Sequence, residues 1–167
     1  MRFARTTALF IALGLALPAA AAAQSAGPRP TNVRLTFHLI EADGEQRDDP
    51  EIQAVTTELR KLFRFQGYRL VQKSVLNATA WPHSNVQQKL TDDAGRSFMI
   101  HAKVELADAN DVRLVVGLSM VDGGVLIDAA VNLQDGKTVV LGTTSGSFRG
   151  QGLLSALILA VTPTINP

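Results

Sequence analysis

Residues 97–106, SFMIHAKVEL, alternate without a break: Phe98, Ile100, Ala102, Val104 and Leu106 fall on one side of an extended chain, Met99, His101, Lys103 and Glu105 on the other. Successive side chains of a strand point to opposite faces, so this pattern describes antiparallel sheet with one packed face and one wet face. The two-residue period begins just after Gly67 and predicts strands at 68–76, 84–91, 97–106, 112–121, 125–133, 137–143 and 152–162. The runs DDAGR, ADAND, DGG and QDGK between them are short and turn-forming. Their Asp-Gly pairs suit tight hairpins, so the strands are expected to succeed one another as a meander.

Upstream, Val33, Leu35, Phe37 and Leu39 alternate with Arg34, Thr36 and His38, which predicts a further half-buried strand ending at the polar run ADGEQRDD. One helix follows. Asp49 suits its N-cap, Pro50 the first helical position, and Glu51 the positive end of the dipole. Ile52, Val55, Leu59, Leu62 and Phe63 recur at three- and four-residue spacing as its apolar stripe, with Arg60, Lys61 and Arg64 near its negative end and Gly67 as its stop. The expected fold class is α+β: one helix packed on a twisted, mainly antiparallel sheet of about seven to eight strands, in the order β-α-β and then a β-meander.

The first residues carry an address. Arg2 and Arg5 form a positive start, residues 8–17 an apolar core, and Ala21 and Ala23 an A-x-A site, which predicts a secretory signal peptide over 1–23 cut between Ala23 and Gln24. The apolar core is shorter than the roughly 20 residues needed to cross a bilayer, so no integral membrane segment is expected after cleavage. Residues 24–32, QSAGPRPTN, read as a flexible leader, and 33–165 as a single domain of the periplasm or the secreted space. Without residues 1–23 the 16 basic side chains lose Arg2 and Arg5, leaving 14 against 15 acidic ones and a net charge of −1. That balance gives no footprint for nucleic acid. The absence of cysteine removes disulfides, thiol catalysis and thiolate metal sites together.

No residue set nominates a catalytic centre, a cofactor site or a metal site. His38, His83 and His101 are far apart in sequence and read as surface or rim residues. Glu41, Asp43, Glu45, Asp48 and Asp49 alternate as calcium ligands do, yet no acid stands at the twelfth position from Asp43, and a solvated loop with a helix cap fits them. Ser145 and Ser147 lack a G-x-S-x-G elbow, and Gly146, Gly150 and Gly152 lack the spacing of a phosphate loop. The run SGSFRGQG reads as a hairpin loop whose Ser147, Phe148, Arg149 and Gln151 are the candidate contacts for a partner. Asn77-Ala78-Thr79 is formally a glycosylation sequon behind a bacterial-looking signal.

Residues 131–165 combine VNLQDGKTVVLG, a glycine-rich loop and LLSALILAVTPTI. This hairpin resembles the end of bacterial secretin β-domains, where a strand, an Asp-Gly turn, a TVVLG strand and a closing Thr-Pro strand build part of a ring's wall. Thr143 and Thr164 depart from that pattern. The chain as a whole, through DPEIQAVTTELRKLFRFQGYRLV and the DGKTVVLG run, also looks like small uncharacterised exported bacterial proteins. These resemblances imply a compact envelope domain whose partner is an unidentified envelope protein. Two functions follow: a non-enzymatic envelope interaction module, accessory to a secretin-like or other assembly, or a periplasmic carrier of a small molecule or lipid. The carrier would line an apolar pocket with Phe37, Phe63, Phe65, Tyr68, Trp81 and Phe98.

Overall fold

The computed structural model describes residues 30–42, 48–80, 84–146 and 155–166. The chain runs through β1 (Asn32–Ala42), a 3-10 turn (Pro50–Ile52), α1 (Gln53–Leu62), β2 (Arg69–Thr79), β3 (Asn85–Thr91), β4 (Ser97–Ala107), β5 (Asp111–Met120), β6 (Val125–Gln134), β7 (Val139–Gly146) and β8 (Ser155–Ile165). Each strand expected after Gly67 is present, its ends displaced by at most three residues.

The layering differs from expectation. Instead of one sheet there are two four-stranded antiparallel sheets, ordered β2-β1-β8-β7 and β3-β4-β5-β6. Alternation in the sequence tells which face of a strand is apolar, but not what covers it. A ten-residue helix covers too little of an eight-stranded sheet, so the apolar faces meet each other across a sandwich. Phe37 and Leu39 of β1, Phe98 and Ile100 of β4, Leu114 and Leu118 of β5 and Leu159 of β8 fill the space between the sheets, all fully buried. Each such side chain contributes roughly 1.5–3 kcal/mol of transfer free energy.

β3 to β6 form the expected meander. Gly95, at φ +78°, turns between β3 and β4, where Asp92 accepts from the N–H groups of Ala94 and Arg96. The run QDGK is not a hairpin turn: β6 ladders with β5 and β7 with β8, so this connection crosses from one sheet to the other. Gly136, at φ +70°, makes the corner. It is pinned by Gly136 N–H donating to the Pro163 carbonyl at 2.9 Å and Ile165 N–H donating to Asp135 Oδ1 at 2.8 Å. These contacts to β8 displace the pairing that an isolated Asp-Gly turn would favour.

β1 and β8 lie in the middle of their sheet, and over residues 37–42 and 156–161 both faces are buried. Their outward residues Ile40, Ala42, Ala156, Ile158 and Ala160 pack with Ile52, Val55 and Leu59 from the helical segment and with Tyr68. The Asp49 cap is as expected, with Oδ1 accepting from Glu51 N–H at 2.9 Å. The helix stops at Leu62, five residues before Gly67, and Leu62 is 64% exposed rather than part of the stripe. Phe63 turns extended (φ −132°, ψ 148°), so its ring and that of Phe65 approach each other at 6.1 Å, with Tyr68 edge-on to Phe65. Folding three aromatic rings onto the cluster outweighs one more helical turn.

Candidate functional site

The strands follow their sequence order around a ring. β1 bonds to β2 and β8, β3 to β6 bond in succession, and β7 bonds to β8, while β2 lies beside β3 and β6 beside β7. Among the described residues no backbone hydrogen bond closes either of those last two steps. The sandwich is a flattened barrel with two seams, and the seams hold its distinctive chemistry.

At the seam between β2 and β3 polar groups stand among apolar ones such as Leu76, Ala78 and Leu90. Ser74 and Gln72 lie on the inner face of β2, opposite Phe37 and Leu39, and the Ser74 hydroxyl donates to Gln88 Oε1 of β3. At one end of this seam Glu41 continues the inner face of β1, only 1% exposed, with its carboxylate against the Arg69 guanidinium of β2. Arg96, at the start of β4, brings its guanidinium within 3.7 Å of the same carboxylate, while its Nε donates to Asp92. An ionic chain therefore spans the two sheets: Arg69, Glu41, Arg96, Asp92. Sequence reading assigned Glu41 to a solvated acidic loop. The signal that places it is its register, since 33, 35, 37, 39 and 41 form one unbroken odd-numbered face.

At the seam between β6 and β7 the groups are apolar. Ile127 stands 3.5 Å from where a Cβ on Gly142 would lie, so the two strands touch through a side chain and a bare backbone. Ala129, Val131, Val139 and Leu141 flank them, half-buried against the core. β6 carries one charge, Asp128, and no lysine or proline, and at its start Val125 is 70% exposed.

Of the candidate partner contacts, Ser147, Phe148, Arg149 and Gln151 all lie outside the described residues, as do residues 1–29, which include the expected signal peptide, and Asp43, Glu45, Trp81 and His83. Asp48 accepts from Tyr68 N–H and pairs with Arg60 at 2.7 Å, so it anchors the helix to β2. The aromatic residues proposed to line one pocket are divided. Phe37 and Phe98 belong to the core between the sheets, and Phe63, Phe65 and Tyr68 to the cluster under the helix. None of these aromatics lines either of two clefts formed by described residues, one of about 320 Å³ between the ends of β1 and β2 and one of about 350 Å³ where Ala54 and Glu58 face Gly136, Lys137 and Thr138.

The two described histidines do not converge. His38 is on the outer face of β1, registered between Lys73 and Ala160, while His101 is on the outer face of β4 in the other sheet. The His101 ring lies on Gly117 of β5, where a Cβ would come within 1.8 Å of it. His38 is buried, its Nδ1 has no hydrogen-bond partner among the described residues, and burial, then Lys73, hold its pKa below the ordinary 6.5. Among the described residues no group of three or more His, Cys, Asp or Glu is placed to hold a metal ion, and no helix is long and apolar enough to cross a membrane.

These features define an antiparallel β-sandwich domain in ring order, with one helix on its outer face and two unlaced seams. No protein-family model matches the chain, and no curated protein matches it. A solved structure, the type II secretion secretin XcpQ from Pseudomonas aeruginosa, is similar over 81% of this chain at 9% identity, with a TM-score of 0.33. The chain spans about 57% of that secretin chain.

Proposed function

We propose that the protein is an exported, non-enzymatic interaction module of the cell envelope that docks on an envelope protein through the outer face of β6. The observation that supports this reading is that face: Asp128, Ala130, Asn132 and Gln134 lie exposed along it with a single charge, and Val125 is exposed at the strand's start, while the edge of β6 is covered by β7. The centres of interfaces are depleted of charge, and docking there needs no signature of reactive side chains. A secretin-like assembly is the first partner to test, because residues 131–165 resemble the secretin end in sequence. Residues 147–151 would add side-chain contacts.

The experiment is isolation of the tagged protein from its own envelope, with the N-terminal residue and the native mass determined. A chain beginning at Gln24 in a stoichiometric envelope complex, lost on Ala130→Lys at the exposed face of β6, supports the reading. A particle of monomer mass, or a complex indifferent to lysine on β6, overturns the docking surface. A chain retaining residues 1–23 overturns export by cleavage.

A further inference from the structure

The seam between β2 and β3 has a tethered end and a free end. β2 stops at Thr79 and β3 starts at Asn85, so the chain itself holds the two strands together there. At the opposite end, where β2 starts and β3 stops, no such tether exists. That is where Glu41 and Arg69 of the first sheet meet Arg96 and Asp92 of the second. Ser74 and Gln88 bridge the middle.

We propose that this seam is a latch: the sandwich opens reversibly along β2 and β3 from the ionic end, while the seam between β6 and β7 stays shut. The physical ground is what each opening exposes. Parting β2 from β3 bares Leu76, Ala78 and Leu90, but it also returns buried charges and amides to water, and the hydration they regain offsets part of what is lost. Parting β6 from β7 uncovers Ile127, Val139 and Leu141, and hydration of apolar surface returns nothing. Neither opening breaks a backbone ladder among the described residues, so the side chains decide which occurs first. Glu41 stays attached to β1 and Arg69 to β2 throughout, and among the described contacts at this end the one that opening parts is that of Glu41 with Arg96.

The chain has no cysteine, so single cysteines report opening directly. Ser74→Cys probes the inner face at the latch, Ile127→Cys the other seam, and Ala102→Cys the centre of β4. All three positions are buried. Each chain is labelled with a small maleimide under native conditions, its rate divided by that of the same chain in denaturant. The latch predicts that Ser74→Cys reacts at least about tenfold faster than Ala102→Cys and Ile127→Cys, because it is reached by local rather than global unfolding. Adding Arg96→Gln should widen the gap between Ser74→Cys and Ala102→Cys. Equal normalised rates at Ser74→Cys and Ala102→Cys, or faster reaction at Ile127→Cys than at Ser74→Cys, overturn the proposal even if Arg96→Gln fails to fold. A gap that a folded Arg96→Gln chain leaves unchanged overturns the assignment of the ions as the latch.

Discussion

The two seams solve one problem with opposite chemistry. Between β2 and β3 a buried carboxylate, two guanidinium groups and a Ser-Gln hydrogen bond close the wall. Between β6 and β7 an isoleucine resting on a glycine closes it, with half-buried alanine, valine and leucine on either side. Apolar closure is tolerant: trimming a side chain costs contacts in proportion to its size. Ionic closure is not, because removing one partner leaves a desolvated charge without its counterpart, and the loss exceeds what the intact pair contributed.

The largest effect is therefore expected at Glu41. Glu41→Ala should lower the stability to unfolding by about 3 kcal/mol, the low end for breaking a buried pair, since Arg96 would keep Asp92 and Arg69, 34% exposed, could turn to water. A urea midpoint that barely moves would put the two seams on the same footing. Ile127→Ala should cost about 2–3 kcal/mol at the other seam, and the loss should add to that of Glu41→Ala because the two share no partner. Strong coupling in the double variant would mean that the seams communicate through the core. Ser74→Ala should cost about 1 kcal/mol, the worth of one hydrogen bond plus the unpaired Gln88 amide.

A smaller effect tests a site away from both seams. His38 has a folded-state pKa below 6.5, so the unfolded chain binds the proton more readily. Its contribution is complete above about pH 6.5 and is lost as pH falls from there through the folded value. Stability measured across that window should slope downward toward acid, less so in Lys73→Met. A slope unchanged by His38→Gln would remove His38 as its source. Least of all, Val125→Lys should change stability by no more than about 0.5 kcal/mol, because Val125 is mostly in water already. A larger loss would show that the start of β6 is packed in solution.

How much of this could be read beforehand depended on how far each signal reaches along the chain. Strand alternation is local, and Phe98 to Val104 announced their face without reference to anything distant, whereas Leu106, beyond an irregularity in the pairing after Val104, is 60% exposed instead of packed. The division into two sheets was not legible, because Asp135-Gly136 has the same turn chemistry whether it joins partners within a sheet or carries the chain across. Only the grip of Pro163 and Ile165 on that corner decides it, and those lie a strand pair away. Leu62 and Phe63 fitted a helical stripe, but the helix ends between them, so that Phe63 turns into the aromatic cluster and Leu62 is left exposed. Glu41 was visible as the fifth member of an odd-numbered face, but its acidic neighbours drew it into a loop. The seam residues Ser74, Gln88, Ile127 and Gly142 carry no pairwise mark in sequence, since nothing local to β2 or β6 says which strand will stand opposite.

The central pair of the first sheet has a consequence for the order of folding. β1 ladders with β8 from Val33 against Ile165 to Ala42 against Ala156, so the strand made first lies beside the strand made last. Closing that loop carries the entropy of nearly the whole domain, which places the protein among slow-folding, high-contact-order chains. Joining Ile165 to Asn32 by a short linker and reopening the chain in the Asp108–Asp111 turn would make this pairing local. Such a circular permutant should keep the same sandwich and reach it faster.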